Sequence, residues 1–265
     1  MLELFQYDFL QRAFIVSAVL ALVMPLIGIV IVNKNISVIG DALSHTALAG
    51  VIFGLIIGVN PMVSTLVIVV FASILIEFLR KNFPGYSSIS TTIVMSFSIG
   101  LASVLTDFVQ GASNLESYLF GSLVAIGPED LKIVLGLGLM VFLFSIYFYK
   151  DLQHISFDET SARVGGTRVD LVNFIFTILT AITIAVASRT IGVMIVSSML
   201  VIPVACSIQL RMSYLKTIIS SSIFGFAFMV LGLLSSFYFD LKPGGTTVII
   251  ATISLIIIIL LKEKK

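Results

Sequence analysis

The sequence predicts an all-α integral membrane protein, a polytopic bundle of eight or nine transmembrane helices forming a single domain over residues 1–265. Three observations carry this. Apolar residues make up 58% of the chain and mean hydropathy is +1.17, beyond what one water-surrounded core can hide. The 15 basic and 14 acidic residues gather between long apolar runs instead of spreading evenly. Those runs are the length of a membrane crossing, roughly 17–25 residues.

Nine such runs follow in order, at 13–32, 42–58, 62–79, 90–109, 131–149, 169–187, 191–210, 217–239 and 246–261. Each is expected to be helical, because lipid offers no partner to an unpaired backbone group. The second and seventh are the shortest or most polar and could be broken or re-entrant. Met1 to Arg12 contains Glu3 and Asp8 and lacks a basic leader, so the first run reads as a span and not a cleavable signal. Two connections are long. Residues 111–130 include a short helix-like piece at 115–124, and 150–168 form a polar loop. Tight turns such as Asn60-Pro61 and Lys242-Pro243-Gly244-Gly245 join the rest.

The basic residues set the orientation. With the C-terminal lysines in the cytoplasm and nine alternating crossings, eleven Lys and Arg fall on that side and four on the other. The expected setting is a bacterial plasma membrane with a cytoplasmic C-terminus. A net charge of +1 gives no basic patch for nucleic acid. One cysteine, Cys206, allows neither an internal disulfide nor a thiolate cage. The chain has no phosphate-binding GxxxxGK[ST] loop, HExxH or nucleophile elbow, so it reads as a non-enzyme whose energy source lies elsewhere.

Asp41 and His45 head the second run, in Gly40-Asp41-Ala42-Leu43-Ser44-His45-Thr46. Four residues apart on a helix, they share one face. A carboxylate oxygen and an imidazole nitrogen so placed can both ligate a divalent first-row metal. The same residues also fit a helix cap at Asp41 and a packing His45. Two ligands are too few for closed coordination, which suits passage better than storage. In the long polar loop, Phe157-Asp158-Glu159-Thr160-Ser161-Ala162-Arg163-Val164-Gly165 reads as a short helix with Asp158 and Glu159 in its first turn and Gly165-Gly166 at its end. It could dock into a partner's groove or be an ordinary solvated linker. The seventh run carries Ser197 and Ser198, small enough for close helix approach, and Pro203, which frees a carbonyl. Such a helix lines a pathway or simply packs. Glu77, with Arg80 and Lys81 following, reads as an interfacial ion pair.

Three stretches, in order, resemble the membrane permeases of ABC importers for zinc, manganese and chelated iron. They are Gly40-Asp41-Ala42-Leu43-Ser44-His45 with Ala47-Leu48-Ala49-Gly50, then Phe157-Asp158-Glu159 with Ala162-Arg163 and Gly165, then 192–205 around Val201-Ile202-Pro203. Smaller echoes lie at 118–123 and at Pro243-Gly244-Gly245-Thr246, so the resemblance covers nearly the whole chain. Thr46, Ala49 and Gly244 depart from the commoner pattern without removing a presumed ligand. The resemblance implies a homodimer with the pathway along its interface, a separate cytoplasmic ABC ATPase subunit, and an extracytoplasmic solute-binding protein that delivers the metal. It places Asp41 and His45 on the metal's path and Phe157, Asp158, Glu159, Ala162, Arg163 and Gly165 on the segment that meets the ATPase. No permanently bound cofactor is expected; manganese, zinc or iron is cargo. The competing class is an ion-gradient-driven transporter with Asp41, His45 and Glu77 as a proton relay.

Overall fold

A computed structural model describes residues 8–83, 86–109, 127–239 and 241–263. These residues form eleven helices and, among them, no strand: α1 (Asp8–Asn33), α2 (Ile39–Ile57), α3 (Pro61–Asn82), α4 (Ser87–Thr106), α5 (Pro128–Tyr147), α6 (Tyr149–Phe157), α7 (Glu159–Val164), α8 (Val169–Ile191), α9 (Val193–Gln209), α10 (Tyr214–Phe239) and α11 (Pro243–Glu263). Eight of them are long and apolar enough to cross a membrane, and α9, at 17 residues, is shorter. Every one of the nine apolar runs lies on one of these helices. The helix-like piece expected at 115–124, and the echo at 118–123, lie outside the described residues.

Three helices start one to three residues before their apolar runs, for a local reason. Pro61, Pro128 and Pro243 each open a helix, where the missing N–H costs nothing and the fixed φ suits the first turn. Asn60 caps α3 by accepting a hydrogen bond from the Met62 N–H at 2.9 Å.

At the centre stands α9, packed against α1, α2, α8, α10 and α11. Its Val196, Met199, Leu200, Val204 and Cys206 are buried. Backbones approach closely at small residues, as expected where lipid gives no hydrophobic drive for association. A methyl on Gly28 of α1 would run into the Leu200 carbonyl of α9. Gly192, at φ 95°, joins α8 to α9 in a single residue, a conformation that favours glycine. The buried Pro203 sits within α9.

One end of the bundle collects the polar connections. Phe157 and Tyr149 both pack on Tyr214, with ring centroids 6.1 and 5.7 Å apart. Lys262 of α11 donates to Gln209 of α9 at 3.0 Å, which brings the last helix to the same end as α6 and α7. At the opposite end Arg189 pairs with the nearly buried Asp130 at 3.4 Å, and Asp130 also accepts from the Gly127 N–H at 3.0 Å.

Candidate functional site

Helix α2 carries both candidate ligands. Val38, not Asp41, occupies its cap position, with no side-chain cap bond, and Asp41 lies within the first turn. The capping role for Asp41 is therefore not realised. Asp41 is exposed and His45 half-buried on the surface of the chain, while Ala42, Leu43, Ser44 and Thr46 on the other faces are buried. Thr46 bonds Ser98 of α4 and the Ala42 carbonyl, both at 2.7 Å. That fixes α2 in rotation and turns the Asp41 and His45 face away from the core.

The depth of this face follows from the α2–α3 hairpin. Gly50 lies against Thr65, whose Cα would be 2.8 Å from an added methyl. From there α2 runs back ten residues to Gly40, whereas α3 runs on seventeen to Asn82. At 1.5 Å per residue α3 extends about 10 Å past Gly40. Gly40 in turn rests on Ser197 and Leu200 of α9, and α9 continues twelve residues beyond Ser197 to Gln209, about 18 Å. Asp41 and His45 are thus recessed from the helix ends, yet open to the side. Ser197 meets α2 next to Asp41; it and Ser198 are half-buried. Among the described residues, no three His, Cys, Asp or Glu side chains cluster together.

The polar loop folds as its sequence suggests, with one shift of register. Asp158 is the cap of α7 and not part of its first turn, and its carboxylate accepts from the Thr160 and Ser161 N–H groups at 2.9 and 3.1 Å. The Ser161 hydroxyl bond, first, and then these backbone bonds hold the Asp158 carboxyl below the usual carboxylate range. Ala162 is the buried residue of α7, and Gly165 ends the helix ahead of Gly166 at φ 86°. Phe157 and Val164 stand 69% and 86% exposed, Phe157 with one side of its ring against Tyr214. Arg163 grips Asp170 of α8 with two bonds of 2.8 and 3.0 Å, which raises its already high pKa.

Glu159 turns inward instead. It pairs with Lys34 at 3.4 Å, and Asn173 of α8 bonds both of them. Lys34 and Asn173 were not among the residues the sequence singled out. The available signal was an amide inside an apolar run and a lysine in a tight turn, neither distinctive alone. Glu77 is held by Arg80 at 3.0 Å, the interfacial pair its spacing predicts.

Residues 6–262 match the model of the ABC 3 transport family. The chain belongs to the ABC 3 transport family. This is the family of metal-importer permeases that the three motifs resemble. An ABC 3 relative from Treponema pallidum (strain Nichols), named "Probable metal transport system membrane protein", is 33% identical over 97% of each chain. "Manganese transport system membrane protein MntC" of Listeria monocytogenes is 30% identical over 99% of this chain and 94% of its own. The structure titled "PsaBC from Streptococcus pneumoniae in complex with Fab" superposes with a TM-score of 0.85 at 29% identity, covering 96% of this chain and 92% of that one. The all-helical ABC 3 architecture is therefore shared along nearly the whole length.

Proposed function

We propose that this chain is the translocation subunit of an ATP-driven importer for a divalent transition metal, manganese first, and that it works as a homodimer. The observation that carries the reading is the placement of Asp41 and His45. A carboxylate recessed from the helix ends and open to the side would face lipid in a lone chain, at a cost of several kcal/mol. A second copy laid against that face removes the exposure and doubles the donors, giving four ligands of the kind manganese, zinc and iron accept. The relatives named for manganese transport support manganese as the cargo.

The exposed Phe157, at the end of α6, and Val164, at the end of α7, form a contact for a cytoplasmic ABC ATPase, the source of energy for transport. The C-terminus, at the same end as α7, is then cytoplasmic, and a solute-binding protein delivers metal at the Arg189 end. In the relay reading Glu77 would pass protons; its engagement with Arg80 weighs against that role. The test is metal uptake into proteoliposomes holding this chain, its ATPase and its binding protein. ATP-dependent manganese accumulation, lost in the Asp41→Ala/His45→Ala variant with the complex still assembled, is expected. Accumulation that ignores ATP and follows an imposed proton gradient would replace this reading with the secondary transporter.

A further inference from the structure

The turn between α1 and α2 is tied to α7 by a closed ring of three side chains. Lys34 Nζ donates to Asn173 Oδ1 at 3.0 Å and lies 3.4 Å from Glu159 Oε2. Asn173 Nδ2 donates to Glu159 Oε1 at 3.2 Å. The members come from the α1–α2 turn, from α7 and from the first turn and a half of α8. Only 8% of the Lys34 side chain is exposed. Burial, with the Arg80 guanidinium nearby, holds its ammonium below the usual lysine pKa, while Glu159 opposes the shift. The Glu159 side chain is 41% exposed, so parting the pair would strand the Lys34 cation away from water while Glu159 stays solvated, which favours movement of the turn together with α7.

Both ends of this tie reach something that matters. On one side α7 is also fastened to α8 by Arg163 and Asp170, and it lies next to the exposed Phe157. On the other side the turn is short and stiff. Asn35 takes φ 56°, Ile36 and Ile39 are buried, and the next residue, Gly40, rests on Ser197 and Leu200. Asp41 follows at once. Six residues lie between Lys34 and Asp41, and backbone bonds from the Ile36 N–H to Ile31 and from the Ile39 N–H to Ile36 hold the turn.

We infer that Lys34, Glu159 and Asn173 are positioning residues that transmit displacement of α7 to the start of α2, and so set the position of the metal-passing pair Asp41 and His45. On this account the three act by holding α7 to the turn and not by contact with the metal or the ATPase. Glu159, on this account, acts inward through Lys34 and not as part of the docking surface. The inference rests on the importer reading above, because it needs an ATPase to displace α7.

The experiment measures manganese taken up per ATP hydrolysed by the reconstituted complex of chain, ATPase and binding protein. Lys34→Met and Glu159→Gln are each expected to keep ATPase association and hydrolysis while metal moved per ATP falls about tenfold, within the usual range of coupling between distant sites. The exchanged pair Lys34→Glu/Glu159→Lys restores most of the ratio, since Asn173 can bond either arrangement. Rescue of coupling by reversed charge is a result that a merely structural role would not give. Unchanged metal per ATP in both single variants would overturn the inference while leaving the importer reading intact. So would parallel loss of assembly, hydrolysis and uptake that the exchanged pair fails to relieve. No ATP-dependent uptake by the unaltered complex would overturn both.

Discussion

The packing of α2 on α3 can be challenged by one methyl group. In Gly50→Ala the new Cβ would lie 2.8 Å from the Thr65 Cα. Carbon atoms prefer about 3.5–4.0 Å, so the two helices must part locally by about 1 Å. That displacement also stretches the bond from Ser64 Oγ to the Gly50 carbonyl, now 2.8 Å, past useful length. Overpacking of this kind costs about 1–3 kcal/mol and the lost hydrogen bond about 1 kcal/mol. Alanine recovers about 0.8–1.0 kcal/mol in helix propensity. The net loss is therefore about 1–3 kcal/mol, and at about 2–4 °C per kcal/mol the melting point falls about 2–12 °C. The assay is thermal unfolding of the purified chain in detergent. Gly136→Ala in α5, where a methyl meets nothing of the chain within 4 Å, is the control and should melt at or slightly above the wild type. If Gly50→Ala also melts there, the close approach of α2 and α3 is not what holds them, and the depth assigned to Asp41 loses its footing.

Three further outcomes follow from the site. Phe157→Ser should leave the melting point unchanged but reduce co-purification of the ATPase; undiminished capture would remove the docking surface from Phe157. Glu77→Gln should retain ATP-dependent uptake, because Glu77 serves an ion pair with Arg80; abolished uptake would favour the proton relay. Asp158→Ala should speed amide exchange at Thr160 and Ser161 at neutral pH. Since the folded-state pKa of Asp158 is lowered, its cap is fully formed above the ordinary carboxylate value and is lost as pH falls through the depressed one. Wild-type exchange, corrected for intrinsic rates, should approach that of the variant only in strong acid, and loss of protection between pH 7 and 5 would contradict the cap.

The apolar runs anticipate nine helices correctly because the demand that lipid makes is local. A backbone in hydrocarbon must satisfy its hydrogen bonds within its own segment, so length and composition suffice to locate α1 or α10 without knowing any neighbour. Short-range chemistry was legible in the same way. The i,i+4 spacing of Asp41 and His45, the Gly165-Gly166 stop and the Glu77–Arg80 pair all lie within one or two turns, whereas Asp158 falls one position earlier than its sequence reading, at the cap. Sequence spacing nevertheless allowed Asp41 to be a cap, and only the observed start of α2 at Ile39 put it inside the helix.

What the sequence by itself determined was the class of the molecule and its apolar spans, and it named Asp41 and His45 as candidate metal ligands. Tertiary structure alone decided that Asp41 and His45 are recessed and open to one side, since this depends on where Gly50 meets Thr65 and where Gly40 meets Ser197. It alone turned Glu159 inward to Lys34, 125 positions earlier in the chain, and closed the ring with Asn173. Side chains so far apart in sequence meet only because helices pack in a particular rotation and register, which no local hydrogen-bond or solvation rule specifies.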